Sequence, residues 1–160
     1  MKGTNKIITA ILMAGVSHAS LAKTSIEDTL DKNGVTACRE EVKTVTRFLA
    51  KDNGESSHVT WHTSQPNRRN VSAVMMKDYS DGDSHITFHM NPEGNACDWS
   101  YTETYFVPSR CTETREKMIG EAEFVTGMGD TAIYELGAVD YYLTDLKQGC
   151  LFTKKESSYE

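Results

Sequence analysis

Residues 35–51 read VTACREEVKTVTRFLAK, and their apolar members fall at Val35, Cys38, Val42, Val45 and Leu49. Those steps of three and four align as one stripe on an α-helix, so the spacing predicts a helix over Val35–Lys51. Arg39, Glu40, Lys43, Arg47 and Lys51 fall on the side turned away from the stripe. A stripe of this length has to be buried against another layer. Cys38 lies inside it, which predicts that the helix is also stapled covalently to that layer.

The covering layer is legible downstream. Asn70–Tyr79 and Ser84–Met90 flank Ser80-Asp81-Gly82-Asp83, and Asp-Gly between alternating segments signals a hairpin. A two-residue Asp81-Gly82 loop predicts pairs Lys77–Ile86, Met75–Phe88 and Ala73–Met90. One face then carries Ala73, Met75, Ile86, Phe88 and Met90, the face expected against the helix. The other carries Val74, Met76, Asp78, His85, Thr87 and His89. After a turn at Asn91–Asn95, Ala96–Val107 alternates again, with Cys97, Trp99 and Tyr101 on one face and Asp98, Ser100 and Thr102 on the other.

Around this centre the chain reads as follows. Ser25 is the expected N-cap of a short first helix, Asp31–Gly34 interrupts it, and Asp52-Asn53-Gly54 ends the main helix. Val59–Trp61 has strand alternation, and Gln65–Arg69 is a polar connection. Pro108-Ser109 opens a short second helix over about Ser109–Ile119. Strands follow at Glu121–Thr126, Thr131–Leu136, Val139–Leu143 and Cys150–Thr153, with 154–160 as a frayed tail. The fold class expected is α+β: an N-terminal helix packed on a mostly antiparallel sheet, a second short helix and further antiparallel strands, held by two disulfides. Helix-then-meander occurs twice in this order, although no sequence repeat accompanies it.

The N-terminus predicts export. Lys2 and Lys6 precede the apolar Ile7–Val16, and Ser20-Leu21-Ala22 has the form of a signal-peptidase site, with cleavage after Ala19 as the alternative. This largely apolar run of ten residues is half of the roughly 20 that a membrane crossing needs. Residues 1–22 are therefore read as a cleaved signal peptide and 23–160 as one domain, with no membrane span in the mature chain. Loss of Lys2 and Lys6 takes the formal charge from −6 to −8. That balance argues against nucleic acid, whose phosphates require a positive footprint.

All four cysteines, Cys38, Cys97, Cys111 and Cys150, follow the signal segment, and an even count in an oxidising compartment reads as two disulfides. No pair has the short spacing of a structural zinc site. Three connectivities are compatible with the count. The face shared by Cys97 and the stripe favours Cys38–Cys97, leaving Cys111–Cys150.

Functional signals are sparse. His58, His62, His85 and His89 come in two pairs four residues apart, which on a strand separates partners by roughly 13 Å. A metal site would need neighbouring strands to contribute, with Asp78 opposite His85 in the expected register. Arg39, Lys43, Arg47 and Lys51 form a basic stripe that could dock an acidic partner, or be a solvated face neutralised by nearby acids. Tyr141 and Tyr142 belong to an aromatic-rich strand and are recognition candidates, although adjacent residues face opposite sides. No nucleophile elbow, metalloprotease motif, P-loop or dinucleotide fingerprint is present. The reading expected is a non-enzymatic periplasmic or secreted protein that binds another protein, as an inhibitor, immunity or envelope accessory factor, without a cofactor. The alternatives are an envelope-acting hydrolase with a dispersed site and a histidine-based metal-binding protein.

Overall fold

A computed structural model describes residues 23–51, 55–80, 82–94 and 96–159. The expected signal segment, the Asp52–Gly54 helix stop, Asp81, Asn95 and Glu160 lie outside the described residues. Among the described residues, three helices and eight strands follow one another in the order α1 (Ser25–Lys32), α2 (Arg39–Ala50), β1 (Glu55–Thr60), β2 (Val71–Tyr79), β3 (Gly82–Glu93), β4 (Ala96–Val107), α3 (Cys111–Met118), β5 (Glu123–Met128), β6 (Thr131–Leu136), β7 (Val139–Leu146) and β8 (Gly149–Ser158). The strands form one sheet in the order β1-β2-β3-β4-β8-β7-β6-β5. Every ladder among the described residues is antiparallel. The order is that of two meanders set back to back: two helices and four strands make the first half, one helix and four strands the second, and the last strands of the two halves, β4 and β8, pair at the centre.

Helix α1 begins one residue earlier than expected. Thr24 is its N-cap, because Glu27 three residues on completes a capping box: Thr24 Oγ1 accepts from the Glu27 N–H at 3.2 Å and Glu27 Oε1 accepts from the Thr24 N–H at 3.3 Å. Ser25 is freed for another task, and its hydroxyl bonds Glu55 and Ser57 on β1. The main helix starts at Arg39 rather than Val35. Gly34 (φ +69°) and Cys38 (φ +55°) adopt left-handed backbone conformations that a continuous helix excludes. Asn67, from the connection between β1 and β2, accepts hydrogen bonds from the Thr36 and Ala37 N–H groups at 2.6 and 2.9 Å and fixes this turn.

The stripe still does what its spacing demands. Val35, Val42, Val45 and Leu49 are buried in one cluster with Val71, Ala73, Met75, Ile86, Phe88 and Met90. A second, smaller cluster under α3 joins Cys111, Ile119, Ala122, Leu143, Cys150 and Phe152. One disulfide crosses each cluster, Cys38–Cys97 (Cα–Cα 5.7 Å) and Cys111–Cys150 (Cα–Cα 4.9 Å).

Two expectations are corrected. In the hairpin, Met75 pairs with Ile86, Ala73 with Phe88, Val71 with Met90 and Lys77 with Ser84. The pairing is offset by two residues from that of an Asp81-Gly82 loop, because Gly82 pairs with Tyr79 and belongs to the ladder. An even offset keeps each side chain on its face, so the buried set survives the error. The tail expected to fray is ordered: β8 continues to Ser158, pairing with β4 and β7 at the middle of the sheet. Its polar residues alternate between faces and find partners, as in the 2.6 Å hydrogen bond that Tyr101 donates to Glu156.

Candidate functional site

Strand alternation gives the sheet two unlike faces. On one lie the helices and both clusters. Among the described residues no helix covers the other: α1 lies against β1 and α2, and α3 against β7 and β8 on the buried side. The ladders carry a row across this open face from Ser56 through Met76, His85, Thr104, Thr153, Tyr142 and Ile133 to Thr126. Eight strands span roughly 35 Å in this direction. Beside the row, Val74 and Phe106 are 41% and 47% exposed, and Leu151 is half-buried.

Hydroxyl groups dominate the centre of this face, where Thr87, Thr102, Thr104 and Thr153 sit on β3, β4 and β8. Thr104 and Thr153 hydrogen-bond each other at 3.0 Å across the β4–β8 seam, and Thr131 and Thr144 do the same at 2.7 Å. β-Branched and aromatic side chains on a strand lose little rotamer freedom on contact, which makes such a surface ready to bind. Its edges are acidic: Asp78 faces Asp83, and Asp140, Glu135 and Glu123 stand side by side on β7, β6 and β5.

Three cations of the basic stripe of α2 are paired within the molecule. Arg47 makes a two-pronged contact with Glu27 of α1, Nε to Oε1 and Nη2 to Oε2, both at 2.8 Å, and Glu27 is buried. Arg39 pairs with Asp31 at 2.8 Å and Lys43 with Glu40 at 3.3 Å. Lys23 also reaches Asp31, and its ammonium holds that carboxyl below the usual carboxylate range. These groups line the groove between α1 and α2, where cations and carboxylates already satisfy one another.

Tyr141 and Tyr142 are separated by the sheet. Tyr141 lies on the helix side, its ring centroid 5.8 Å from that of Phe152, and burial followed by the charge of Glu156 pushes its phenol up. Tyr142 lies on the open face, its hydroxyl 3.5 Å from Asp140.

The histidines do not converge with Asp78. Met76 stands opposite His85 and Val74 opposite His58, while Asp78 faces Asp83. His62 lies beyond β1 in the loop, with its Nδ1 3.2 Å from the Ser64 hydroxyl. Among the described residues, the group with metal-compatible spacing is Cys38, Glu41 and Cys97. Both of its sulfurs are bonded to each other, so neither offers a thiolate.

No family model matches the chain, and neither does any curated protein or solved structure. Sequence reasoning found the open-face residues of β2 and β3 but missed their continuation. Thr153, Tyr142 and Ile133 join the row only because β4 pairs with β8, a long-range choice that local alternation does not encode.

Proposed function

We propose that the protein is a non-enzymatic exported protein that docks another protein, acting as an inhibitor, immunity factor or accessory factor outside the cytoplasm. The observation that carries this reading is the open face of the eight-stranded sheet. Among the described residues, apolar and hydroxyl side chains are presented there without a covering layer, on a scaffold whose other face carries the helices and both clusters. Docking surfaces need a rigid frame so that little entropy is lost on contact, and two disulfides and continuous pairing provide one. The disulfides also fit an oxidising compartment, and no helix among the described residues is long and apolar enough to cross a membrane. Tyr142 belongs to this face. Arg39 and Arg47 pair with carboxylates of α1, and Lys43 with Glu40 of its own helix, so these cations are not assigned to the docking surface.

The reading is tested by capture from native envelope extract with wild-type protein, with the open-face variant Val74→Arg/Tyr142→Arg, and with Phe48→Ala. Phe48 is an exposed control on the helix side, 59% accessible. The expected outcome is one protein retained stoichiometrically by wild type and Phe48→Ala and lost from the open-face variant. Equal retention by all three removes this face as the docking surface.

A further inference from the structure

The two edges of the sheet are not equivalent. At one end, β1 is guarded by α1: the Ser25 N–H donates to Glu55 Oε1 at 2.6 Å, the Ser25 hydroxyl meets Ser57 at 2.6 Å, and Val59 is buried. At the other end, β5 pairs with β6 alone among the described residues, and all six of its residues are exposed. Its sequence, EFVTGM, contains no lysine and no proline, two of the residues with which proteins commonly blunt a free edge. Instead Phe124, Val125 and Met128 are 62%, 53% and 62% accessible. A register shift between Phe124 and Thr126 leaves Val125 as an extra, outward residue. A free edge with apolar side chains is a template for main-chain pairing with an added strand.

The charge around this edge selects the occupant. Glu121, Glu123, Asp130 and Glu135 gather on β5 and on the strand and turns beside it, whereas Asp140, further in on β7, stands opposite Lys155 of β8. Of the nearest cations, Arg115 is turned inward over the Tyr134 ring at 5.6 Å. A second copy of the chain would bring two such acidic borders together, and like charges facing each other across strands are destabilising. An extended segment rich in lysine or arginine meets the same border favourably.

We propose that β5 accepts an extended, cationic segment of another protein as a ninth strand of the sheet. Main-chain hydrogen bonds along β5 supply the attachment, Val125 and Met128 supply apolar contact, and Glu123 with Glu135 selects for positive charge. This rests on the protein-docking reading and adds to it the site and chemistry of one contact.

The test uses purified protein and two labelled, end-capped peptides, one alternating lysine and valine and the other alternating glutamate and valine, titrated by fluorescence anisotropy. Wild type is expected to bind the lysine peptide at least about tenfold more tightly than the glutamate peptide. Val125→Lys/Met128→Lys, two exposed substitutions that place gatekeeper charges on the edge, is expected to weaken lysine-peptide binding by about tenfold or more. Glu123→Gln/Glu135→Gln, which keeps the apolar contacts, is expected to lose the preference between peptides. Absence of binding up to about 1 mM, equal affinity for both peptides, or an unaffected lysine variant overturns the proposal. So does a wild-type dimer in light scattering that the lysine variant dissolves, which gives the edge to a second copy. If the edge fails while capture still depends on Val74 and Tyr142, the docking reading stands without it.

Discussion

Tyr101 shows how single residues hold the two halves together. It is buried on β4, stacks at 6.3 Å from Trp99, and donates a 2.6 Å hydrogen bond to Glu156 of β8, across the central seam. Lys154 lies 5.3 Å from its ring. Burial, reinforced by the Glu156 carboxylate, pushes the Tyr101 phenol far above its usual range, and burial raises Tyr141 as well. Both phenols stay protonated further into alkali in the folded chain than in the unfolded one. Their contribution to stability is therefore complete below about pH 10 and is lost as pH rises beyond it. Urea midpoints measured at about pH 8 and about pH 11 should fall with pH in wild type and fall less in Tyr101→Phe. At the lower pH that variant should itself be less stable by about 1 kcal/mol, because Glu156 loses its donor. An unchanged pH slope would remove Tyr101 from this account.

At the scale of elements, α2 and α3 are held by different means. The stripe of α2 places Val42, Val45 and Leu49 in the larger cluster, whereas α3 buries little beyond Cys111 and Thr114. The second disulfide, closing a sequence separation of 39, is thus the main tie of α3 to the sheet. Cys111→Ala/Cys150→Ala should cost about 4 kcal/mol in the chain-entropy picture. Native-state hydrogen exchange should accelerate first in α3, while β2 and β3 keep their protection. Uniform acceleration across the sheet would show that α3 is instead part of one cooperative unit.

Elements were also the most legible level in the sequence. Spacing in steps of three and four revealed α2, period-two spacing revealed β2, β3 and β4, and the shared face of Cys97 and the stripe pointed to the disulfide pairing. Position within an element was harder to read. Asp81-Gly82 carries a hairpin signal, yet Gly82 enters the ladder opposite Tyr79. Lys154–Ser158 looked like a polar tail, because nothing local says that Tyr101 and β7 wait to pair with it. The basic stripe of α2 could be read as a docking surface or as a neutralised face, and two of its acidic partners, Glu27 and Asp31, sit on another helix that local spacing does not reach.

The whole molecule is two helix-and-meander halves joined back to back through β4 and β8, and the join creates what neither half has alone. Each half would offer a narrow four-stranded face. Together they offer a continuous open face across eight strands, backed by two clusters and two disulfides. Its constituents are scattered from Ser56 to Ser157 over eight strands, so the surface was not visible as a motif. The most direct measurement is hydroxyl-radical footprinting of the protein alone and in complex with the captured partner. Met76, Phe106 and Tyr142 on the open face should lose reactivity in the complex, while Phe48 and Met118 on the helix side keep theirs. Protection of Phe48 and Met118 with Met76, Phe106 and Tyr142 unchanged would place the partner on the helices and contradict the account.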